Sequence, residues 1–217
     1  MDFQKMIGWA RQQQFKVVLI TLLFSIVTSP TWSASNFVRV PLGKGASIEV
    51  PKNLIVLSNN KRATIDTSVE AKGGRQTESA LSFAANLYDD RGKIIALVNA
   101  RFYPDNPITQ MEARQATPSD LKEIDEIFRK NTEFHLNAMG IRLLNWYGSK
   151  MQVINGLYVF IHEHQNSGAG DSGVTRIRGV RVWRSPRSFT VTLSYRESDS
   201  TILLPIIDYV TNSIRQN

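Results

Sequence analysis

The sequence predicts an α+β fold, a twisted antiparallel sheet with helices packed on it. Three observations predict it. Residues 81–102 alternate apolar and polar side chains on both sides of an Asp/Gly turn. Residues 117–139 form an amphipathic helix with its own start and stop signals. Residues 141–196 alternate again before an apolar stripe at helical spacing closes the chain.

Composition sets the outer bounds. The chain has 217 residues, 42% hydrophobic and 21% charged, with 13 Gly, 8 Pro and no Cys. That apolar content excludes a disordered or collagen-like chain. The absence of cysteine excludes disulfides, thiolate metal sites and a cysteine nucleophile.

Lys5, Arg11 and Lys16 precede the apolar run Val17 to Val27, and the small residues Ser33-Ala34-Ser35 follow. A basic start, a short apolar run and small residues at −3 and −1 describe a secretory signal peptide. Cleavage after Ser35 places serines at both positions, whereas cleavage after Ala34 puts bulky Trp32 at −3. The rival reading is an uncleaved membrane tether, but a spanning helix needs about 20 apolar residues and this run is shorter. The expectation is therefore residues 1–35 as signal peptide and 36–217 as one mature domain, periplasmic or secreted from a bacterium. The whole chain carries +7, and loss of Asp2, Lys5, Arg11 and Lys16 leaves about +5. A mildly basic exported domain suits a protein or anionic envelope ligand, and export argues against nucleic acid.

Ser47 to Pro51 alternates and stops at proline, as a short strand does. Leu54 to Leu57 is a second apolar run, and Asn59 to Gly74 is polar and unassigned. Leu81, Phe83, Ala85 and Leu87 face one way; Asp89 to Gly92 turn the chain; Ile94, Ala96, Val98, Ala100 and Phe102 alternate on the return. Pro104 and Pro107 end that pattern.

Thr117 can cap a helix, Pro118 fits its first position and Asp120 suits the positive end of its dipole. At about 100° per residue, Leu121, Ile124, Ile127, Phe128, Phe134, His135, Ala138 and Met139 lie on one broad arc, and Gly140 can end the helix. Ile141 to Tyr147 and Met151 to Ile154 read as strands. Asn155-Gly156 is a hairpin turn, and Leu157 to His164 is the return, apolar on both faces like an inner strand. Val174 to Arg184 and Phe189 to Arg196 form another hairpin across residues 185–188. A helix over Ser200 to Arg215 buries Ile202, Leu203, Ile206, Ile207, Val210 and Ile214, with Pro205 expected in its first turn.

Three stretches resemble the PsbP-like superfamily, which includes the periplasmic DcrB-like proteins. They are Ser47-Ile48-Glu49-Val50-Pro51-Lys52, the Asn155-Gly156 hairpin with its long return strand, and Phe189 to Tyr195 followed by a helix ending Asn212-Ser213-Ile214. Leu54 stands where such proteins often carry tryptophan. The resemblance implies an α/β/α-type sandwich and a non-enzymatic accessory or binding role. It carries over no catalytic residue and no cofactor.

Two constellations are candidates for chemistry. His162 and His164, at i and i+2 on a strand, share a face and could hold one metal ion, with His135, Glu163 or Asp171 as a third ligand. Glu163 faces away, and His135 on its apolar arc reads as a core histidine. Arg176, Arg178, Arg181, Arg184 and Arg187 crowd one hairpin. If Gly179 marks a bulge, Arg176, Arg178, Arg181 and Trp183 share one face and could grip phosphate, carboxylate or a sugar acid. The plain alternative is a solvated face whose charges block edge pairing. The Gly-rich loop Ser167 to Gly173 lacks the Gly-Lys-Ser/Thr ending of a phosphate loop. No Gly-x-Ser-x-Gly elbow is present. Asp89-Asp90, Glu123/Glu126 and Glu197/Asp199 sit in a turn, on a polar helix face and at a strand end, not as a cleft pair. The leading expectation is a non-catalytic binding protein; the alternatives are a metal-binding protein or enzyme centred on His162 and His164, and a membrane-tethered assembly factor.

Overall fold

The computed structural model describes residues 34–71, 81–104, 108–169 and 173–216. The apolar run of the N-terminal segment, and Asp171, lie outside them. Two antiparallel sheets form the domain rather than one. The larger has seven strands: β3 (Ile55–Val56), β4 (Leu81–Tyr88), β5 (Ile94–Tyr103), β6 (Leu143–Ile154), β7 (Leu157–Asn166), β8 (Thr175–Arg184) and β9 (Arg187–Arg196), in the order β3-β4-β5-β9-β8-β7-β6. The smaller joins β1 (Phe37–Gly43), β2 (Ala46–Pro51) and β10 (Arg215–Gln216). The predicted opening strand therefore belongs to the small sheet, paired with a strand whose irregular Val-Arg-Val-Pro-Leu pattern hides its period.

The helices are α1 (Asn59–Ala71), α2 (Gln110–Gln115), α3 (Pro118–Ala138) and α4 (Ser200–Asn212). The unassigned polar stretch is thus largely α1. Thr117 caps α3 through a capping box with Asp120, and Thr109 caps α2 in the same way with Glu112. In the β4–β5 turn the Asp89 carboxylate accepts the backbone N–H groups of Arg91 and Lys93 at 3.0 and 2.8 Å. Asn155 and Gly156 adopt φ of 49° and 81°, the left-handed pair that a tight hairpin requires.

The core lies between one face of the large sheet and α4. Val180, Val182, Val191 and Leu193 are fully buried there, as are Leu203, Ile207 and Val210 of the helix. Each such side chain contributes roughly 1.5–3 kcal/mol on leaving water. The small sheet is tied to α4 by Tyr209, whose hydroxyl donates to Glu49 at 2.6 Å and whose ring stacks on Phe37. The other face of the sheet carries α2 and α3, with α3 over the edge strand β6.

Several expectations are corrected. Of the arc on α3, Ile127 (49%), Phe134 (69%) and Met139 stay exposed, while Leu136 is buried and Leu121, Ile124 and Phe128 are half-covered. A helix lying on the outermost strand finds cover for a narrow stripe only. His135 belongs to the uncovered side and is exposed rather than in the core. Ile202 is exposed, and Pro205 lies inside α4 beyond its first turn. Ile141 to Ile154 contributes one strand, β6, whose register slips between Leu143 and Asn145 and between Trp146 and Gly148. The β8–β9 connection is a two-residue turn, Ser185-Pro186. Most consequential, β8 has no bulge at Gly179: its register with β7 and β9 runs unbroken from Thr175 to Val182.

Candidate functional site

An unbroken strand alternates its side chains, so β8 sorts its residues to two faces. Arg176, Arg178, Val180 and Val182 point toward α4. Ile177, Gly179, Arg181 and Trp183 point toward α2 and α3. The predicted common face of Arg176, Arg178, Arg181 and Trp183 does not form. The apparent phase shift arises because both faces of the sheet are covered, so apolar residues serve at odd and even positions alike.

On the α4 side the arginines are held in a network. Glu163, directly opposite Arg178 on the ladder, accepts Arg176 at 2.8 Å and also pairs with Arg178. Arg178 reaches on to Asp208 at 2.6 Å and Thr211 at 3.2 Å, joining strand to helix. Burial works to raise the pKa of Glu163, but the bonds and charges of the two arginines outweigh it and the net shift is downward. Glu163 is therefore committed to this network and not to a metal. The Arg176 guanidinium also lies over the Tyr147 ring, 4.3 Å from its centroid.

On the α3 side, Trp183 is buried (4%) against Ala113 and Phe160. Its carbonyl and that of Tyr158 accept the Gln110 amide, which pins α2 to the sheet. Arg181 lies between two rings, 4.8 Å from the centroid of Tyr103 and 5.4 Å from that of Phe128. Its Nε donates to Thr190 at 3.1 Å.

His162 and His164 do share a face, as the strand period demands. Their rings are parallel within 3°, with centroids 6.2 Å apart, and Trp146 lies 5.8 Å from each. Phe128 of α3 closes over His162 at 5.2 Å. Burial pushes the pKa of His162 down to about 3, helped by the charges of His164 and Arg181, and pushes that of His164 down to about 4. Both imidazoles are thus neutral at physiological pH. Neither Nδ1 has a hydrogen-bond partner, nor has the buried hydroxyl of Ser149, the residue opposite His162 on β6. Among the described residues no group of three His, Asp or Glu gathers as a metal-holding cluster. The nearby carboxylate is Asp125 of α3, which accepts Trp146 Nε1 at 2.9 Å and acts on the charge of His162.

Three residues of this cluster escape the sequence reading, Trp146, Ser149 and Asp125, and Gly179 enters it only as a supposed bulge. Counting back from the Asn155-Gly156 turn places Ser149 opposite His162 and so could have found it. The same count sets Tyr147 opposite His164, but the register slip at residues 146–148 puts Trp146 there instead.

No protein-family model matches the sequence, and no curated protein matches it. Solved structures do. The cyanobacterial PsbP protein CyanoP of Synechocystis superposes with a TM-score of 0.55 at 12% identity, covering 86% of this chain and 96% of that one. PA94 of Pseudomonas aeruginosa gives a TM-score of 0.42 at 12% identity, covering 84% and 98%. LpqN of Mycobacterium tuberculosis, described as involved in cell envelope biogenesis, gives 0.41 at 10%, covering 85% and 97%. The likeness to CyanoP extends over nearly the whole of that protein. The chain has the PsbP-like fold.

Proposed function

We propose that this chain is a non-catalytic accessory protein of the bacterial envelope, exported with loss of residues 1–35, which acts by binding outside the cytoplasm. The observation that carries the reading is the order basic, apolar, small in the first 35 residues. The PsbP-like fold is compatible with it and supplies no residue role. Among the described residues no helix is long and apolar enough to cross a membrane. The intact mass of the protein recovered from a periplasmic extract tests it. A mass beginning at Asn36 supports export and cleavage. Full-length chain in the membrane fraction replaces it with the tethered reading, and full-length chain in the cytosol removes both.

A second reading has one specific observation in its favour: the two buried, unpartnered Nδ1 atoms of His162 and His164, on imidazoles already in the neutral, ligating state. It takes a zinc or copper ion on that pair with Asp125 as neighbour. Metal analysis after loading and dialysis decides it. Stoichiometric metal that is lost in His162→Ala supports the site, and substoichiometric metal in the parent protein ends it.

A further inference from the structure

The sequence contains Asn-Gly once, at Asn155-Gly156. Such a pair is prone to lose its side-chain amide, because glycine puts no side chain in the way when its backbone nitrogen attacks the asparagine. Both residues are exposed at the tip of the β6–β7 hairpin, open to water. The Asn155 side chain is nonetheless engaged. Its Nδ2 donates to the carbonyl of Asn212 at 2.9 Å and to that of Ile214 at 2.8 Å, which takes both N–H groups. Those carbonyls lie at the end of α4, where helical partners run out. Arg39 donates to the carbonyl between them, that of Ser213, at 3.2 Å. Ser213 Oγ accepts the Glu49 N–H at 2.8 Å. The end of α4 is thus a joint, held by the β6–β7 hairpin on one side and by the small sheet on the other.

We infer that Asn155 is a deamidation site which the fold guards through the end of α4. In this reaction the Gly156 backbone nitrogen bonds to Asn155 Cγ, and the Cγ–Nδ2 bond breaks. Nδ2 leaves as ammonia, with the proton that Gly156 gives up. Water then opens the cyclic imide to aspartate or isoaspartate, so that overall water enters and ammonia departs. To leave, Nδ2 must first release both carbonyls, so the reaction proceeds from the open joint. Its aspartate product then keeps the joint open. A carboxylate has no N–H to donate, and here it faces two carbonyls at the negative end of a helix dipole. The left-handed backbone at residue 155 accepts aspartate as it does asparagine. The change therefore acts through the clamp and not through the turn.

Peptide mapping by mass spectrometry tests the guard, on the full chain held in warm, mildly alkaline buffer with and without urea. In urea Asn155 is expected to convert ahead of every other asparagine. In the native protein its conversion should be slower by about tenfold or more, the worth of two ordinary hydrogen bonds. Equal rates in the two conditions, or another asparagine converting first in urea, overturn the site. Hydrogen exchange of two variants tests the clamp. Asn155→Asp should speed exchange at residues 213–216 by about tenfold or more. Asn155→Gly keeps the turn, since glycine accepts a left-handed backbone, and removes the bonds without adding charge. It should open the same residues less, and added salt should narrow the difference. Unchanged exchange in α3 shows that each variant is folded. Parent-like exchange at residues 213–216 in Asn155→Asp overturns the clamp, and equal opening in the two variants overturns the opposition of the new charge to α4.

Discussion

Gly179 stands directly opposite His162 on the β7–β8 ladder, and a Cβ at position 179 would fall inside the His162 imidazole. The glycine is there for room rather than for backbone freedom, since its ladder is regular. The missing side chain on β8 lets the ring of β7 lie flat across the sheet, beneath Phe128 and beside Trp146.

Gly179→Ala should therefore destabilise the fold by about 1–3 kcal/mol, the usual cost of overpacking a filled site. Urea denaturation measures it. The diagnostic variant is the double Gly179→Ala, His162→Ala, which should be more stable than the sum of the single effects predicts. Additive losses would show that the two residues do not share this space.

Acid should unfold the protein early. In the unfolded chain both histidines take up protons near pH 6.5, whereas in the fold they resist until about 3 and about 4. Below pH 6.5 the unfolded state thus holds more protons, and stability falls as pH falls. Each histidine contributes a slope approaching about 1.4 kcal/mol per pH unit in that window, and nothing above it. His162→Phe should flatten the profile between pH 6 and pH 4; an unchanged slope in urea midpoints would contradict the burial of a neutral ring.

Arg178→Ala removes the link between Glu163 and Asp208 and leaves Glu163 with Arg176 alone. Because Glu163 keeps Arg176 and Asp208 is half exposed, the loss is that of charge-assisted hydrogen bonds, about 2 kcal/mol, short of the cost of stranding a buried charge. Arg181→Ala, on the opposite face and stacked on rings rather than ion-paired, should cost about 1 kcal/mol. Chemical denaturation of the two variants side by side checks the order, and reversal would contradict the division of β8 between two faces.

Thr117→Ala deletes the cap of α3, including its bond from the Asp120 N–H at 3.2 Å. The expected loss is about 1 kcal/mol, recovered largely by Thr117→Ser. Thermal unfolding followed by circular dichroism reads it.

The sequence made plain those elements whose cause is local. Thr117-Pro118-Ser119-Asp120 carry a helix start in their own side chains, and Asn155-Gly156 turn a hairpin for reasons contained in two residues. The α+β class followed from such signals. What stayed hidden depends on the far side of a contact. The face of α3 that meets the sheet depends on its lying over an edge strand, which its own period cannot say, so Phe134 of the expected stripe is exposed and Leu136, outside that stripe, is buried. Gly179 resembled a bulge because the ring that fills its space comes from β7. Of the candidate site, the common face of His162 and His164 was legible because a strand alternates. Trp146 was not, because the register slip in β6 displaces the count by one, and Asp125 was not, because it arrives from a helix.

That same slip has a consequence for the molecule in company. β6 closes the seven-stranded sheet on one side, and an outermost strand with side chains such as Leu144, Tyr147 and Val153 is a template on which another copy could zip. The two irregularities near its start, with Gly148 at a φ of 90°, crimp the row of outward amides and carbonyls. A straight partner then cannot stay in step along the full length. The distortion that brings Trp146 to the histidines thereby also guards the protein against polymerising through its own rim.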